Sequence, residues 1–221
     1  MLNAFYALKG KYVDKKKLAE DAIYLERVLC EESGGVQDQI AAAYGGFNRI
    51  DFSKDGFIVT PLIIPNERKR ELNGNLMLFF TGFSRYASDI EISRKKAMKD
   101  KTKELKEMLA LVDDAQNVLV SKGSLNEFGR MLDHTWKLKR GITNKISNDS
   151  IDAVYKRAVE AGALGGKLLG AGGGGFMLFY VEKDKQDNVR KELEDLLYVP
   201  FEFENGGTRI MYYNAEEYDI L

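Results

Sequence analysis

The chain of 221 residues has one cysteine, Cys30, and one histidine, His134. A lone thiol excludes an intrachain disulfide and fits a reducing cytosol, so a cytoplasmic protein is expected. A lone imidazole excludes His-rich metal centres. Any cation is expected to be a hard one held by oxygen ligands. Neither sign of charge dominates, with 33 Lys and Arg against 34 Asp and Glu. Nucleic-acid and anionic-membrane binders usually carry a basic excess, so neither partner is expected. No apolar run approaches the ~20 residues of a membrane-spanning helix. Against these scarcities, 44% of the residues are hydrophobic and 11% aromatic, enough for a sizeable core. The length suits one large domain or two small ones.

Glycine is concentrated in one place. From Leu168 the chain reads Leu-Leu-Gly-Ala-Gly-Gly-Gly-Gly, which puts Gly170, Gly172, Gly173, Gly174 and Gly175 in one loop. Glycine loses more backbone freedom on folding than any other residue. Such a loop makes sense where the backbone takes positive φ, or where a phosphate or another loop must come close. The apolar run Phe176 to Val181 follows and reads as a buried strand.

Periodicity outlines the rest. Leu2, Phe5 and Leu8 mark an amphipathic helix. Leu18, Ala22, Leu25 and Leu29 form one stripe of a helix over Lys15 to Cys30, broken by Ser33-Gly34-Gly35. Gln37 to Tyr44 reads as a short helix ended by Gly45-Gly46, and Asn48 to Thr60 as a hairpin turning at Asp55-Gly56. Asn66 to Gly74 is polar and is the expected boundary between two pieces. Leu76 to Thr81 reads as a core strand. Helices are expected over Ser88 to Lys122, Leu125 to Leu138, Ile151 to Ala161 (capped by Asp149 or Ser150) and Lys185 to Leu197. A last strand is expected near Arg209 to Tyr213. Strands and helices mix without a βαβ repeat, so the fold class is α+β.

Two carboxylates stand out. Glu26 lies at the edge of the apolar stripe of its helix, where a charge is costly unless paired or metal-bound. Asp38 opens the next helix just after the glycine turn, beside free N–H groups and the positive end of the dipole. Two carboxylates near a glycine turn suit magnesium and a phosphate donor. Taken singly, each also reads as an ordinary surface acid.

The combination resembles the GHMP kinase family. Gly165-Gly166-Lys167-Leu168-Leu169-Gly170 and the glycines after it are similar to the family's third, C-terminal glycine motif. Glu26-Arg27-Val28 with Ser33-Gly34-Gly35-Val36-Gln37-Asp38-Gln39 is similar to its glutamate helix and catalytic-aspartate turn. Gly45 to Ile50, Phe80 to Arg85 and Trp136 to Arg140 are similar to the bacterial branch acting on D-glycero-D-manno-heptose 7-phosphate. The resemblance implies ATP- and Mg²⁺-dependent phosphoryl transfer to a sugar phosphate at the anomeric hydroxyl of a heptose 7-phosphate. Asp38 would be the general base and Glu26 would help hold Mg²⁺. Ser33, Gly34, Gly35, Gly170 and Gly172 to Gly175 would shape the phosphate and substrate cleft. Arg85, Lys139 and Arg140 would engage the phosphate on the sugar; each also reads as a plain surface cation. The implied architecture is a partial N-terminal lobe over residues 1–70, then a ferredoxin-like C-terminal lobe with extra helices over 71–221.

The family's earlier Gly/Ser-rich phosphate loop has no counterpart among these residues. The sequence-level expectation is therefore a C-terminal portion of a kinase, with an apolar surface through which the chain self-associates. A non-catalytic remnant that binds a sugar phosphate or a partner protein, and a galactokinase-like or fucokinase-like enzyme, stand as alternatives.

Overall fold

The computed structural model describes residues 1–32, 34–82, 98–143, 145–170 and 173–214. The chain divides into two compact units, one of residues 1–62 with the tail from 203, the other of residues 63–202.

The first unit starts with helix α1 (Leu2–Leu8) and helix α2 (Lys15–Tyr24). The Asp14 side chain caps α2 by accepting a hydrogen bond from the Lys17 N–H at 2.7 Å, a favoured arrangement for an aspartate at this position. The expected helix to Cys30 does not stay α-helical. Leu25–Leu29 winds as a π-helical turn. Helix α3 (Gln37–Tyr44) follows, then the expected hairpin of β1 (Asn48–Ser53) and β2 (Gly56–Pro61). Leu18, Ala19, Ile40 and Ala43 are its buried centre, flanked by Tyr6, Val36, Ile50 and Phe57. The tail returns to α3. The Gly46 N–H donates to the Glu204 carbonyl at 3.1 Å and the Thr208 N–H to the Ala42 carbonyl at 2.9 Å. Gly45 has φ +59°, and a Cβ there would fall 2.0 Å from the carbonyl carbon of Gly206, so only glycine lets the tail lie this close.

In the second unit the polar stretch expected to be a boundary is a helix, α4 (Asn66–Gly74). Tertiary partners explain it. Leu72 is fully buried, and the Arg68 guanidinium donates to the last carbonyls of the next long helix, those of Val118 and Leu119. Strand β3 (Leu76–Phe80) is followed among the described residues by α5 (Thr102–Val120), α6 (Asn126–Arg140) and α7 (Asp149–Glu160). The first part of the helix expected from Ser88 lies outside the described residues. Helix α7 is capped by the Asn148 side chain, which accepts from the Ile151 N–H at 3.0 Å, not by Asp149 or Ser150. Strands β4 (Ala163–Leu168) and β5 (Phe176–Val181) flank the glycine loop. Helix α8 (Gln186–Glu192) and the short β6 (Leu197–Tyr198) end the unit, so the helix expected to Leu197 stops early.

The sheet order is β4-β5-β3-β6, every neighbour antiparallel. Within the unit this is second-third-first-fourth, with helices between the first two strands and between the last two. That is the expected ferredoxin-like arrangement. Residues alternate across a strand, so Met77 and Phe79 on β3 and Met177, Phe179 and Val181 on β5 share one buried face with Trp136, Ile151, Val154 and Val189. The strand expected over Arg209 to Tyr213 does not form, since these residues have no strand beside them among the described residues and Met211 and Tyr212 are exposed.

Candidate functional site

In the first unit, Glu26 and Asp38 line one cavity of about 370 Å³ with Leu18, Ala22, Leu25 and Gln39. Their separation along the chain is bridged by a folded turn. Arg27 Nη1 donates to the Glu32 carbonyl at 2.7 Å, and the Glu32 N–H to the Glu26 carbonyl at 2.9 Å. Gly34 and Gly35 then lead into α3, whose first turn carries Asp38. Both carboxylates are exposed to solvent. The side-chain amide of Gln39 donates to Glu26 Oε2. Ser33 lies outside the described residues.

In the second unit, the glycine loop turns β4 into β5. The Leu169 N–H donates to the Phe176 carbonyl at 2.8 Å and closes its base. Gly173 has φ +76° and its N–H donates to the Ile146 carbonyl at 3.0 Å. Gly175 has φ +110° and is clasped by Thr81, whose N–H and hydroxyl donate to its carbonyl at 2.8 and 3.0 Å. Positive φ at these positions is what glycine tolerates and side chains do not. Gly174 is half-buried between them. Lys139 Nζ donates to the Gly170 carbonyl at 2.9 Å, so this lysine braces the loop. Gly172 and Arg85 lie outside the described residues.

Arg140 has internal partners. Its Nη1 lies 2.8 Å from Asp152 Oδ1, and its guanidinium carbon sits 5.7 Å from the ring centres of Trp136 and Tyr155. Its Nε is buried without a hydrogen-bond partner. Nearby, Tyr155 donates to Asp133 Oδ1 at 2.6 Å. Burial, and then this bond to the carboxylate, push the Tyr155 phenol above its ordinary range.

The sequence did not single out Gln39 or Lys167 for any role, although both lie inside the quoted motifs. Lys167 stands on β4 opposite Leu178, and burial lowers its ammonium below the ordinary lysine range. It makes no hydrogen bond or ion pair among the described residues. A charge in this setting opposes folding. Lys167→Met is expected to stabilise the protein by about 1–3 kcal/mol at pH 7. The folded state holds this proton more weakly than the unfolded chain. Wild-type stability should therefore rise with pH through the window below the ordinary lysine pKa of about 10.4, and the variant should lack that slope. Denaturant melts across that range check it; a less stable variant would contradict the argument.

One unit thus holds a glycine loop inside an antiparallel sheet of ferredoxin-like order, and the other carries an aspartate in the first turn of a helix after a glycine turn, in an α+β architecture. Residues 111–199 match the family described as GHMP kinases C terminal. It is similar to D-glycero-alpha-D-manno-heptose 7-phosphate kinase of Campylobacter jejuni, 37% identical over 196 residues, covering 87% of this chain and 58% of that protein. It is also similar to the L-fucokinase/L-fucose-1-P guanylyltransferase of Bacteroides fragilis, 30% identical, covering 86% of this chain and 20% of that protein. Among solved structures, a D-glycero-D-manno-heptose 1-phosphate kinase from Bacteroides thetaiotaomicron superposes with a TM-score of 0.68 at 28% identity, covering 96% of this chain and 60% of that one. The chain thus spans less than two thirds of each of these relatives. Among the described residues no helix is long and apolar enough to cross a membrane.

Proposed function

We propose that the protein serves ATP- and Mg²⁺-dependent phosphorylation of a sugar phosphate at the anomeric hydroxyl of a heptose 7-phosphate. The observation that carries this reading is the shared cavity of Glu26 and Asp38, whose volume of about 370 Å³ suits a small-molecule ligand. Similarity to a heptose 7-phosphate kinase supports the choice of acceptor.

In this reading Asp38 accepts the proton of the anomeric hydroxyl as its oxygen bonds to the γ-phosphorus of ATP. The bond from that phosphorus to the β–γ bridging oxygen breaks, and ADP leaves. Among the described residues no group of three or more His, Cys, Asp and Glu could hold a metal. Mg²⁺ is commonly held by one or two carboxylates together with substrate phosphates, so Glu26 with Asp38 fits it. When bound, Mg²⁺ neutralises charge on the transferring phosphate. Gly34 and Gly35 shape the turn before Asp38, while Gly170, Gly173, Gly174 and Gly175 shape a wall for phosphate braced by Lys139; Ser33 and Gly172 are proposed as further phosphate- or substrate-binding residues. Arg85, Lys139 and Arg140 are the cations proposed for the phosphate already on the sugar. Residues 1–70 would be part of an N-terminal lobe and 71–221 the C-terminal lobe. The reaction belongs in the cytoplasm. Phe5, Leu8 and Tyr12 are exposed on the first unit and offer an apolar surface for self-association.

The fucokinase relative favours a second reading, a sugar kinase of another branch. Calorimetric titration with Mg·ATP, followed by ADP release with heptose 7-phosphate, L-fucose and galactose in parallel, tests both. Release with heptose 7-phosphate is expected. Release with fucose or galactose alone would replace the acceptor, and Mg·ATP binding without release for any sugar would favour a non-catalytic binder.

A further inference from the structure

The amide of Gln39 ties Glu26 to the helix that carries Asp38 at the first unit's cavity. Gln39 follows Asp38 in the first turn of α3, and Glu26 sits in the π-helical turn Leu25–Leu29. Single π turns inside helices are rare and recur at functional sites. The Gln39 amide N–H donates to Glu26 Oε2 across this gap. Its orientation is chemically fixed, because the amide oxygen turned toward Glu26 would set lone pair against lone pair. That oxygen, Gln39 Oε1, is instead buried and has no hydrogen-bond partner. Leaving a buried acceptor unpaired is costly, and a purely structural clasp would gain nothing from it. Both residues line the cavity that also holds Asp38.

We propose that Gln39 is a positioning residue: its N–H holds one oxygen of Glu26 and so presents the other oxygen to a divalent cation. Partners of this kind orient metal-binding side chains and tune affinity. The inference rests on the assignment of Glu26 to Mg²⁺ in the kinase reading. It adds that the residue after the catalytic aspartate acts on the metal side of the site, not on the proton.

The test uses the whole chain, ¹⁵N-labelled, with Mn²⁺ alone as the paramagnetic probe. The side-chain NH₂ signals of Gln39 are expected to broaden with the backbone signals around Glu26 and Asp38, and Glu26→Gln should abolish the effect. Gln39→Met keeps the length and apolar bulk but lacks the donor and the oxygen. It is expected to weaken Mn²⁺ about tenfold or more while the melting temperature hardly moves. Where turnover is measured, the Mg²⁺ requirement should rise more than the maximal rate falls. Wild-type broadening that spares the Gln39 amide would overturn the proposal without any variant. So would unchanged Mn²⁺ affinity in Gln39→Met, which would leave the kinase reading standing. Mn²⁺ binding that depends on Gln39, with no phosphoryl transfer to any sugar, would sink the kinase reading and keep the role of Gln39.

Discussion

Asp38→Ala is expected to lower phosphoryl transfer to the sugar phosphate by about 10²–10⁴-fold, the usual range for loss of a general base. The fold should be spared. Asp38 is exposed in the first turn of α3, and its removal forfeits only the favourable interaction of an acid with the helix dipole, about 0.3–1 kcal/mol. The measurement pairs product formation from heptose 7-phosphate with a thermal melt of the same sample. Turnover within a factor of a few of wild type would remove Asp38 from the chemistry. A collapse of the melt would instead make it structural. Because Glu26 borders the same cavity, the double variant with Glu26→Gln should lose little beyond Asp38→Ala alone, since residues acting on one step are not additive.

Gly165→Ala is expected to destabilise the protein by about 3 kcal/mol, at the upper end of what overpacking costs. For a chain of this size that lowers the melting temperature by roughly 6–12 °C. A Cβ at Gly165 would fall 2.2 Å from the Gly129 carbonyl oxygen and 2.7 Å from the Asp133 backbone nitrogen, both on α6. These are backbone atoms and cannot rotate away. Helix α6 cannot easily retreat either. Asp133 is tied to Tyr155 of α7 at 2.6 Å, and a Cβ at Gly129 would meet the Tyr180 ring at 2.7 Å. The same glycines therefore let a helix lie directly on β4, which leads into the glycine loop. A melt indistinguishable from wild type would show that α6 can move aside.

This packing explains why β4 is hard to read in the sequence. Ala163–Leu168 contains two adjacent glycines, which disfavour a strand, and motif reading assigns them to the phosphate loop. In the fold they serve close packing, while the loop proper begins at Gly170. The polar stretch Asn66 to Gly74, expected as a boundary, is a helix for the complementary reason. Its charge reads as a solvated boundary, yet Arg68 spends its guanidinium on the end of α5, a partner about fifty residues away. Arg140 reads as a surface cation, but Asp152, Trp136 and Tyr155 surround it, brought there by the packing of α7 on α6.

Local chemistry is what the sequence determined by itself: the apolar stripe of α2, the hairpin after Gly46, the apolar run of β5, the glycine-rich turns, and Glu26 and Asp38 as the acids worth watching. These depend on propensity and on alternation within a few residues, which the order of residues encodes directly. Long-range partners were decided only by the tertiary structure: the antiparallel order β4-β5-β3-β6, the return of the tail onto α3, and the amide of Gln39 set against Glu26. Such pairings depend on which distant surfaces fit together without overlap or an orphaned polar group, and no periodicity within one segment carries that information.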